Sequence, residues 1–388
     1  MATNFEGWAN LPDPIIVHTL TYLSVADRCR AGQTCRHWHQ CLATPLLWKE
    51  FNCGFFYPQH GKLLKCMEQY SHFITKLTIA LNQKEIENRK HAISAVELIA
   101  GLDEIRLTHL TIQFKGENPY FYGGSEFIEA LLHLLCMVGK QKGKYTLKYL
   151  NFSDLQVNFD NSFLSGIANN CPNLEYLNIL NKSLVCNVSP EGVAYLVHQC
   201  RKLQVLHLYH TSLTDDVLKK LSEPGRGALQ RLGVVCRRDE KYGEDISADA
   251  WSELVHTNPD LKVELGFDHT CPLHRVSEIL KAEIPVEELH LSTFTRIYDE
   301  INIAVAYYAN TLQKLVVHTR PSQELNDALL NVAQKCWKLH TLYVYCVVDK
   351  SVIERILESC PRMREKGTYI LKWQKDPEPW TVGKEEGD

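Results

Sequence analysis

A six-residue pattern of apolar positions recurs along most of this chain of 388 residues. Its first, fourth and sixth residues are apolar, as in LEYLNI from Leu174 and LQKLVV from Leu312. The fourth positions are Leu77, Leu110, Leu150, Leu177, Leu206, Leu232, Leu289, Leu315 and Leu342. From Leu150 onward the intervals are 27, 29, 26, 57, 26 and 27 residues, and the longest contains a degenerate copy at 259–267. Such a period predicts stacked repeats, each burying its apolar face against its neighbours.

Each repeat is predicted to contain a strand and a helix. The alternating apolar residues of the hexad are typical of a strand, and segments such as SPEGVAYLVHQC have helical spacing. Several of these helical segments end in a cysteine, namely Cys171, Cys200, Cys336 and Cys360. We expect these cysteines to be small buried apolar residues rather than reactive thiols.

The array resembles the cysteine-containing class of leucine-rich repeats, whose period is about 20 to 29 residues. That resemblance implies an α/β fold in which a curved solenoid carries parallel strands on its concave face and helices outside. Residues alternate in facing along a strand, so we expect the positions between the core leucines to face the concave side. Tyr and His are frequent at these positions. The concave residues predicted to bind a substrate are Tyr176, Asn178, His207, Tyr209, His290, His318, Tyr343 and Tyr345.

Residues 11–48 predict three short helices before the repeats. Ser24 occupies an N-cap position with Asp27 three residues later, and Pro45 is placed to stop the third helix. About forty residues rarely form a stable domain alone without a metal or disulfide. Neither is evident in this segment, so we expect it to depend on a partner or on the rest of the chain.

The same segment resembles an F-box. The residues that carry the similarity are Leu11-Pro12, Ile15-Ile16, Leu20, Leu23, Asp27-Arg28, Cys35-Arg36, Trp38 and Trp48. Pro14 and Thr34 depart from the pattern, where acidic and valine residues are common. In that family the module docks on the Skp-type adaptor of a cullin–RING ubiquitin ligase. The resemblance implies an adaptor-facing apolar set, some of which packs internally: Leu11, Pro12, Ile15, Ile16, Leu20, Leu23, Leu47 and Trp48.

Further segments, including ISADAWSELVHTNPDLKVEL and SQELNDALLNVAQKC, extend the resemblance over nearly the whole chain. They are similar to the F-box and leucine-rich repeat family. This implies a non-catalytic substrate-recognition subunit of an SCF-type E3 ubiquitin ligase, whose partners are the adaptor, through it cullin and RING subunits, and a protein marked for proteasomal degradation. No cofactor is implied. An interaction scaffold with a vestigial F-box is the alternative.

The domain organisation follows from these assignments. We predict an F-box at 1–52, a linker helix at 53–73, about ten repeats at 74–372 and a C-terminal cap or tail at 373–388. Two insertions lengthen the early repeats, KGENPYFYGGSEF (115–127) and GKQKGK (139–144). They are interpreted as surface loops, with partner binding left open. In the tail, Trp373 and Trp380 are predicted to cover the open end of the array.

Composition excludes several function classes. A formal net charge of −4 offers no electrostatic reason to bind nucleic acid or an anionic membrane. The N-terminus has no signal-peptide pattern, and no stretch approaches the roughly eighteen apolar residues of a membrane-spanning helix. The 14 cysteines lack CxxC spacing, so reduced thiols in a cytoplasmic or nuclear protein are expected.

No catalytic or metal-binding pattern is convincing in the sequence. Six residues near the N-terminus suggest zinc, but their spacing scatters them around a helix: Cys29, Cys35, His37, His39, Cys41 and Cys53. Residues 139–146 are one residue short of a phosphate-binding loop and place Tyr145 where a magnesium-binding hydroxyl belongs. We therefore predict no metal and no enzyme activity, with chemistry hidden in the insertions as the remaining alternative.

Overall fold

The computed structural model describes residues 7–118, 122–141, 145–183 and 186–374. They belong to two compact units. The N-terminal unit comprises Met1–Leu206 with Gly225–Gly227, and the C-terminal unit comprises His207–Pro224 with Ala228–Asp388. Among the described helices, none combines the length and the apolar character needed to cross a membrane.

The N-terminal unit begins with three short helices and continues with alternating strands and helices. Its helices are α1 (Asp13–Thr21), α2 (Val25–Ala31), α3 (Arg36–Cys41), α4 (Lys62–Tyr70), α5 (Ile86–Ala100), α6 (Ser125–Lys140), α7 (Asn161–Asn170) and α8 (Pro190–Gln199). Its strands are β1 (Glu50–Phe55), β2 (Lys76–Asn82), β3 (His109–Lys115), β4 (Tyr149–Asp154) and β5 (Tyr176–Asn178). These five strands pair in parallel in chain order.

The C-terminal unit continues the same alternation. The boundary between the units falls within β6 (Val205–Tyr209). The later strands are β7 (Arg231–Cys236), β8 (Lys262–Phe267), β9 (Val286–Leu291), β10 (Lys314–Val317), β11 (Thr341–Val347) and β12 (Tyr369–Lys372). The later helices are α9 (Asp215–Leu221), α10 (Ala248–Thr257), α11 (Leu273–Ile279), α12 (Tyr298–Tyr308), α13 (Gln323–Lys335), α14 (Lys350–Ser359) and α15 (Pro361–Lys366). Strands β7 to β12 are also parallel and paired in chain order.

The leucines of the hexads explain why these strands stack in register. In the N-terminal unit the paired positions are Leu77, Leu110, Leu150 and Leu177; in the C-terminal unit they include Leu289, Leu315 and Leu342. All are at most 1% exposed. Burying each leucine side chain contributes about 1.5–3 kcal/mol, and a slip of one residue would expose the whole set. The α/β leucine-rich repeat fold predicted from the hexads is confirmed.

Helix ends follow the predicted signals. The Ser24 hydroxyl accepts a hydrogen bond from the Asp27 amide at 3.2 Å, which caps α2. Serines cap α8, α10 and α13 in the same way. The cysteines that end helical segments are the C-cap residues of α7, α8, α13 and α14, and all four are buried. Burial raises the pKa of Cys200 to about 12 and that of Cys336 to about 11, which makes these thiols inert.

The first strand, β1, was not predicted from the sequence. Residues 53–73 were expected to be a linker helix, and α4 lies there, but β1 precedes it and pairs with β2. The leucine hexad is absent from β1, where Phe51, Cys53 and Phe55 supply the buried side chains instead. The F-box segment therefore runs directly into the first strand of the sheet.

A disulfide joins Cys29 of α2 to Cys66 of α4. The bond ties the N-terminal helices to a helix outside residues 11–48, in keeping with the expectation that they depend on the rest of the chain, and it departs from the expectation of reduced thiols. The two cysteines are 37 residues apart in sequence, and only the packing of α4 reveals the pair. None of the other twelve cysteines forms a disulfide among the described residues.

Candidate functional site

An exposed apolar surface follows α1 and the turn after α3. Ile15 and Tyr22 lie seven residues apart and therefore on the same face of the helix, with Pro12 at its N-cap. The turn Pro45–Leu47 packs beside α1 and adds Leu46. Ile15 is 51% exposed, Leu46 59% and Tyr22 78%. We call Pro12, Ile15, Tyr22 and Leu46 the docking face.

Five of the residues predicted to face the adaptor lie instead in the core. They are Leu11, Ile16, Leu20, Leu47 and Trp48, each at most 8% exposed. Trp48 stacks on Tyr70 of α4 with ring centroids 4.0 Å apart. Pro12 and Ile15 are exposed, and Leu23 is half-buried. Through Trp48 the module packs on Tyr70 of α4 and Phe51 of β1, and the apolar residues of α1 that find no place in this core remain exposed.

Arg28 of α2 links the parts that carry the docking face. Its guanidinium donates hydrogen bonds to Leu20 O at 2.9 Å, to Thr21 O at 3.1 Å and to Leu47 O. These carbonyls belong to the end of α1 and to the turn beside it, and helix ends leave such carbonyls unsatisfied. Arg28, the second residue of the Asp27-Arg28 pair in the F-box pattern, therefore has a structural role.

In the N-terminal unit, three rings stack across neighbouring strands on the side opposite the buried leucines. His109, Tyr149 and Tyr176 occupy equivalent positions of β3, β4 and β5. The His109 and Tyr149 centroids are 5.3 Å apart, and those of Tyr149 and Tyr176 are 4.0 Å apart. We call these three residues the aromatic ladder. Of the three, the sequence analysis named only Tyr176, although the third hexad position could have identified all of them.

Three other residues predicted for the concave face are buried, namely Asn178, His207 and Tyr209. The amide oxygen of Asn178 accepts a hydrogen bond from Leu180 N at 3.0 Å. The guanidinium of Arg237 lies 3.8 Å above the Tyr209 ring, and His207 lies 3.7 Å from Glu264. Strand alternation predicts the direction of a side chain but does not say whether a neighbouring residue covers it.

In the C-terminal unit, the equivalent surface carries ion pairs. Its residues, which we call the charged cluster, are Arg231, Lys262, Glu264, Glu287, Glu288 and Lys314. Arg231 contacts Glu264, Glu287 at 3.0 Å and Glu288 at 3.5 Å. Lys262 pairs with Glu287 at 2.6 Å, and Lys314 pairs with Glu288 at 2.9 Å.

A β-bulge explains why three acids meet one arginine. The pairing of β8 with β9 shifts so that Val286 faces Val263 while Glu288 faces Glu264, which leaves Glu287 as the extra residue. His290, whose Nε2 lies 3.7 Å from the carboxylate, and the Lys314 ammonium at 2.9 Å lower the pKa of Glu288 to about 2, against the opposing effect of its burial. The Glu288 carboxylate therefore stays ionised at neutral pH.

A second group of rings belongs to the C-terminal unit, where Phe294 and His318 follow β9 and β10 and Tyr345 lies within β11. His318 stacks on Tyr345 at 4.1 Å and meets the edge of Phe294 at 5.3 Å. Phe294 is 54% exposed and has a φ of 55°, which is unusual for a residue with a bulky side chain. Strained residues persist where surrounding contacts hold them, and they concentrate at ligand-binding positions. His290 and Tyr343 are half-buried on the same strands.

The predictions for the two insertions and the C-terminal tail concern residues that the structure describes only in part. Residues 119–121 and 142–144 of the two insertions and Trp380 of the tail lie outside the described residues. Trp373 is 53% exposed, with the Lys350 ammonium 5.6 Å from its ring.

Of the six suspected N-terminal zinc ligands, His37 and Cys41 lie near Asp13, with His37 Nε2 2.7 Å from Asp13 Oδ1.

Comparisons with known proteins agree with this architecture. The F-box-like family model matches residues 8–53. Human F-box/LRR-repeat protein 8 is 30% identical over 382 residues, which cover 98% of each chain, and the bovine protein is 27% identical over 376 residues. Human F-box only protein 33 is 46% identical over an alignment of 402 positions that covers 87% of this chain and 72% of that protein. The extent of these matches, together with the F-box helices and the leucine-rich strands, places the chain in the F-box/LRR-repeat family.

Proposed function

We propose that this protein is the substrate-recognition subunit of an SCF-type E3 ubiquitin ligase in the cytoplasm or nucleus. Membership of the F-box/LRR-repeat family supports a receptor role. The observation that carries the proposal is the docking face, which exposes a large part of Ile15, Tyr22 and Leu46 on a module braced by Arg28. Contiguous apolar surface of this kind marks protein–protein contacts. Its occupant is a Skp-type adaptor, which connects the module to cullin and RING subunits.

The protein acts by holding a substrate rather than by chemistry. A bound substrate lysine close to a ubiquitin thioester reacts as in a unimolecular step, which is worth several orders of magnitude in rate. The free thiols at the helix ends are buried with raised pKa values and are unsuited to forming a thioester.

Substrate binding is assigned to the strand surfaces. The aromatic ladder offers planar apolar rings, and burial lowers the pKa of His109, so its imidazole is neutral at pH 7. Tyrosine is enriched at binding hot spots because it buries a large area at little entropic cost. The charged cluster and the Phe294–His318–Tyr345 group offer further contacts whose strength depends on charge complementarity.

The test is co-expression with a Skp-type adaptor followed by size-exclusion chromatography and titration. Changing both Ile15 and Leu46 to Ala removes two exposed side chains without opening the core. If each is a hot spot of roughly 2 kcal/mol, binding weakens about a thousandfold. The matched control is Tyr195→Ala, which removes a 39% exposed aromatic side chain from α8.

Unchanged adaptor binding by the folded double variant would show that the docking face is assigned wrongly. A folded wild-type protein that ignores the adaptor would instead favour the interaction scaffold with a vestigial F-box.

A further inference from the structure

Three potential metal ligands converge in the C-terminal unit. His210 follows β6, Cys236 ends β7, and Glu240 lies in the turn after it. One ligand atom from each lies within 4.8 Å of the other two, and all three residues are buried. Neighbouring parallel strands bring their carboxyl ends to one edge, so residues 26 and 30 positions from His210 meet there.

The buried carboxylate of Glu240 is only partly hydrogen-bonded within the described structure. Its side chain is fully buried, and one carboxylate oxygen lies 2.8 Å from His210 Nδ1. The other oxygen, Oε1, has no hydrogen-bond partner among the described residues. A buried charged group with an unmet acceptor costs free energy that a bound cation would recover.

The donor types restrict which cation fits. Calcium and magnesium prefer sites built from oxygen ligands, whereas an imidazole, a thiolate and a carboxylate form a set that zinc accepts. Three protein ligands leave a fourth tetrahedral position. Cys271 is buried in the turn after β8, where Asp268 N donates to Cys236 O at 3.0 Å and Cys271 N donates to Asp268 O at 3.2 Å. Arg275 is a neighbouring cation, but its guanidinium is engaged elsewhere: it pairs with Glu278 at 2.6 Å and donates a hydrogen bond to the carbonyl oxygen of Gly243.

We propose that His210, Cys236 and Glu240 bind a zinc ion, with Cys271 or a water as the fourth ligand. The ion replaces the thiol proton of Cys236, which leaves to solvent, and clamps the loops of successive repeats together. Because each repeat in a solenoid contacts only its neighbours, a bond between loops stabilises an otherwise local interface. This role does not depend on adaptor or substrate binding.

The test uses the full chain, purified, loaded with Zn²⁺ and desalted, with metal content measured by mass spectrometry. We expect about one zinc per wild-type chain and its loss in Cys236→Ser and Glu240→Gln. Two controls remove cysteines elsewhere. Cys346→Ser changes a half-buried thiol of β11, and Cys41→Ser changes the group beside Asp13 and His37. Both controls should keep the zinc.

Cobalt supplies a second measurement that does not depend on the variants' stability. Wild-type protein loaded with Co²⁺ should show a thiolate-to-cobalt absorption band, and chelator should lower the melting temperature of the zinc-loaded wild type. Less than about a tenth of an equivalent of zinc in folded wild-type protein would overturn the proposal and leave a buried His–Glu pair. Full zinc retention by Cys236→Ser, or its loss in Cys41→Ser alone, would overturn it as well.

Discussion

The aromatic ladder and the charged cluster occupy the same side of the strands in two different units, yet they are held together by different forces. The ladder stacks rings at 4.0 and 5.3 Å. The cluster pairs three acids with three bases around Arg231. Behind both lies the same register of buried leucines. A repeat architecture therefore conserves the core geometry while the outward positions are free to vary in chemistry.

The largest expected effect tests the part that the two regions share. Leu177→Ala and Leu315→Ala each remove a fully buried leucine, one behind each surface. Each should lower the free energy of unfolding by about 2–5 kcal/mol through lost burial and the cavity left behind. Urea unfolding followed by circular dichroism measures both. A loss below about 1 kcal/mol in only one variant would show that the two cores are not equivalent.

The next effect separates the two surfaces. Arg231→Ala leaves Glu264, Glu287 and Glu288 without their shared partner, and Glu287 is only 5% exposed. We expect a loss of about 2–3 kcal/mol of unfolding free energy, because the remaining carboxylates stay desolvated. Arg231→Lys keeps the charge but loses the forked geometry, so its loss should be smaller. Equal losses in the two variants would contradict the assigned role of the fork.

The pH dependence of stability should also distinguish the cluster. The folded-state pKa of Glu288 is about 2, below its ordinary value of 4.5. Its contribution is therefore present above about pH 5 and is lost as the pH falls from there towards 2. After solvent screening we expect about 1 kcal/mol, measured as the difference in unfolding free energy between wild type and Glu288→Gln. A difference that persists unchanged at pH 2 would contradict this assignment.

The smallest effect belongs to the ladder. Tyr149→Leu keeps apolar volume but removes the ring between His109 and Tyr176, and should cost about 0.5–1.5 kcal/mol. This cost should not change between low and high salt, since stacking is not screened. Parallel urea titrations at two salt concentrations measure it. A loss that shrinks with salt would mean that charge, rather than stacking, orders these rings.

Sequence reasoning succeeded where one residue type repeats at a fixed interval. The leucine hexads predicted the strands from β2 onward, and Ser24 and the terminal cysteines predicted helix ends. It missed β1, where phenylalanine and cysteine replace leucine, and it missed Arg231 and Glu287, because a bulge of one residue is invisible in a hexad pattern. Of the four docking-face residues it named Pro12 and Ile15 but missed Tyr22 and Leu46, and it could not divide core from surface.

The sequence by itself determined the period, the core leucines and the family resemblance, because each repeat makes the same local choice and the choices reinforce one another. Only the tertiary structure decided which F-box side chains stay exposed, that Cys29 meets Cys66, and that His210, Cys236 and Glu240 converge. These outcomes depend on contacts between residues far apart in the chain. No local pattern records such distances, since they arise only when neighbouring repeats are packed in register.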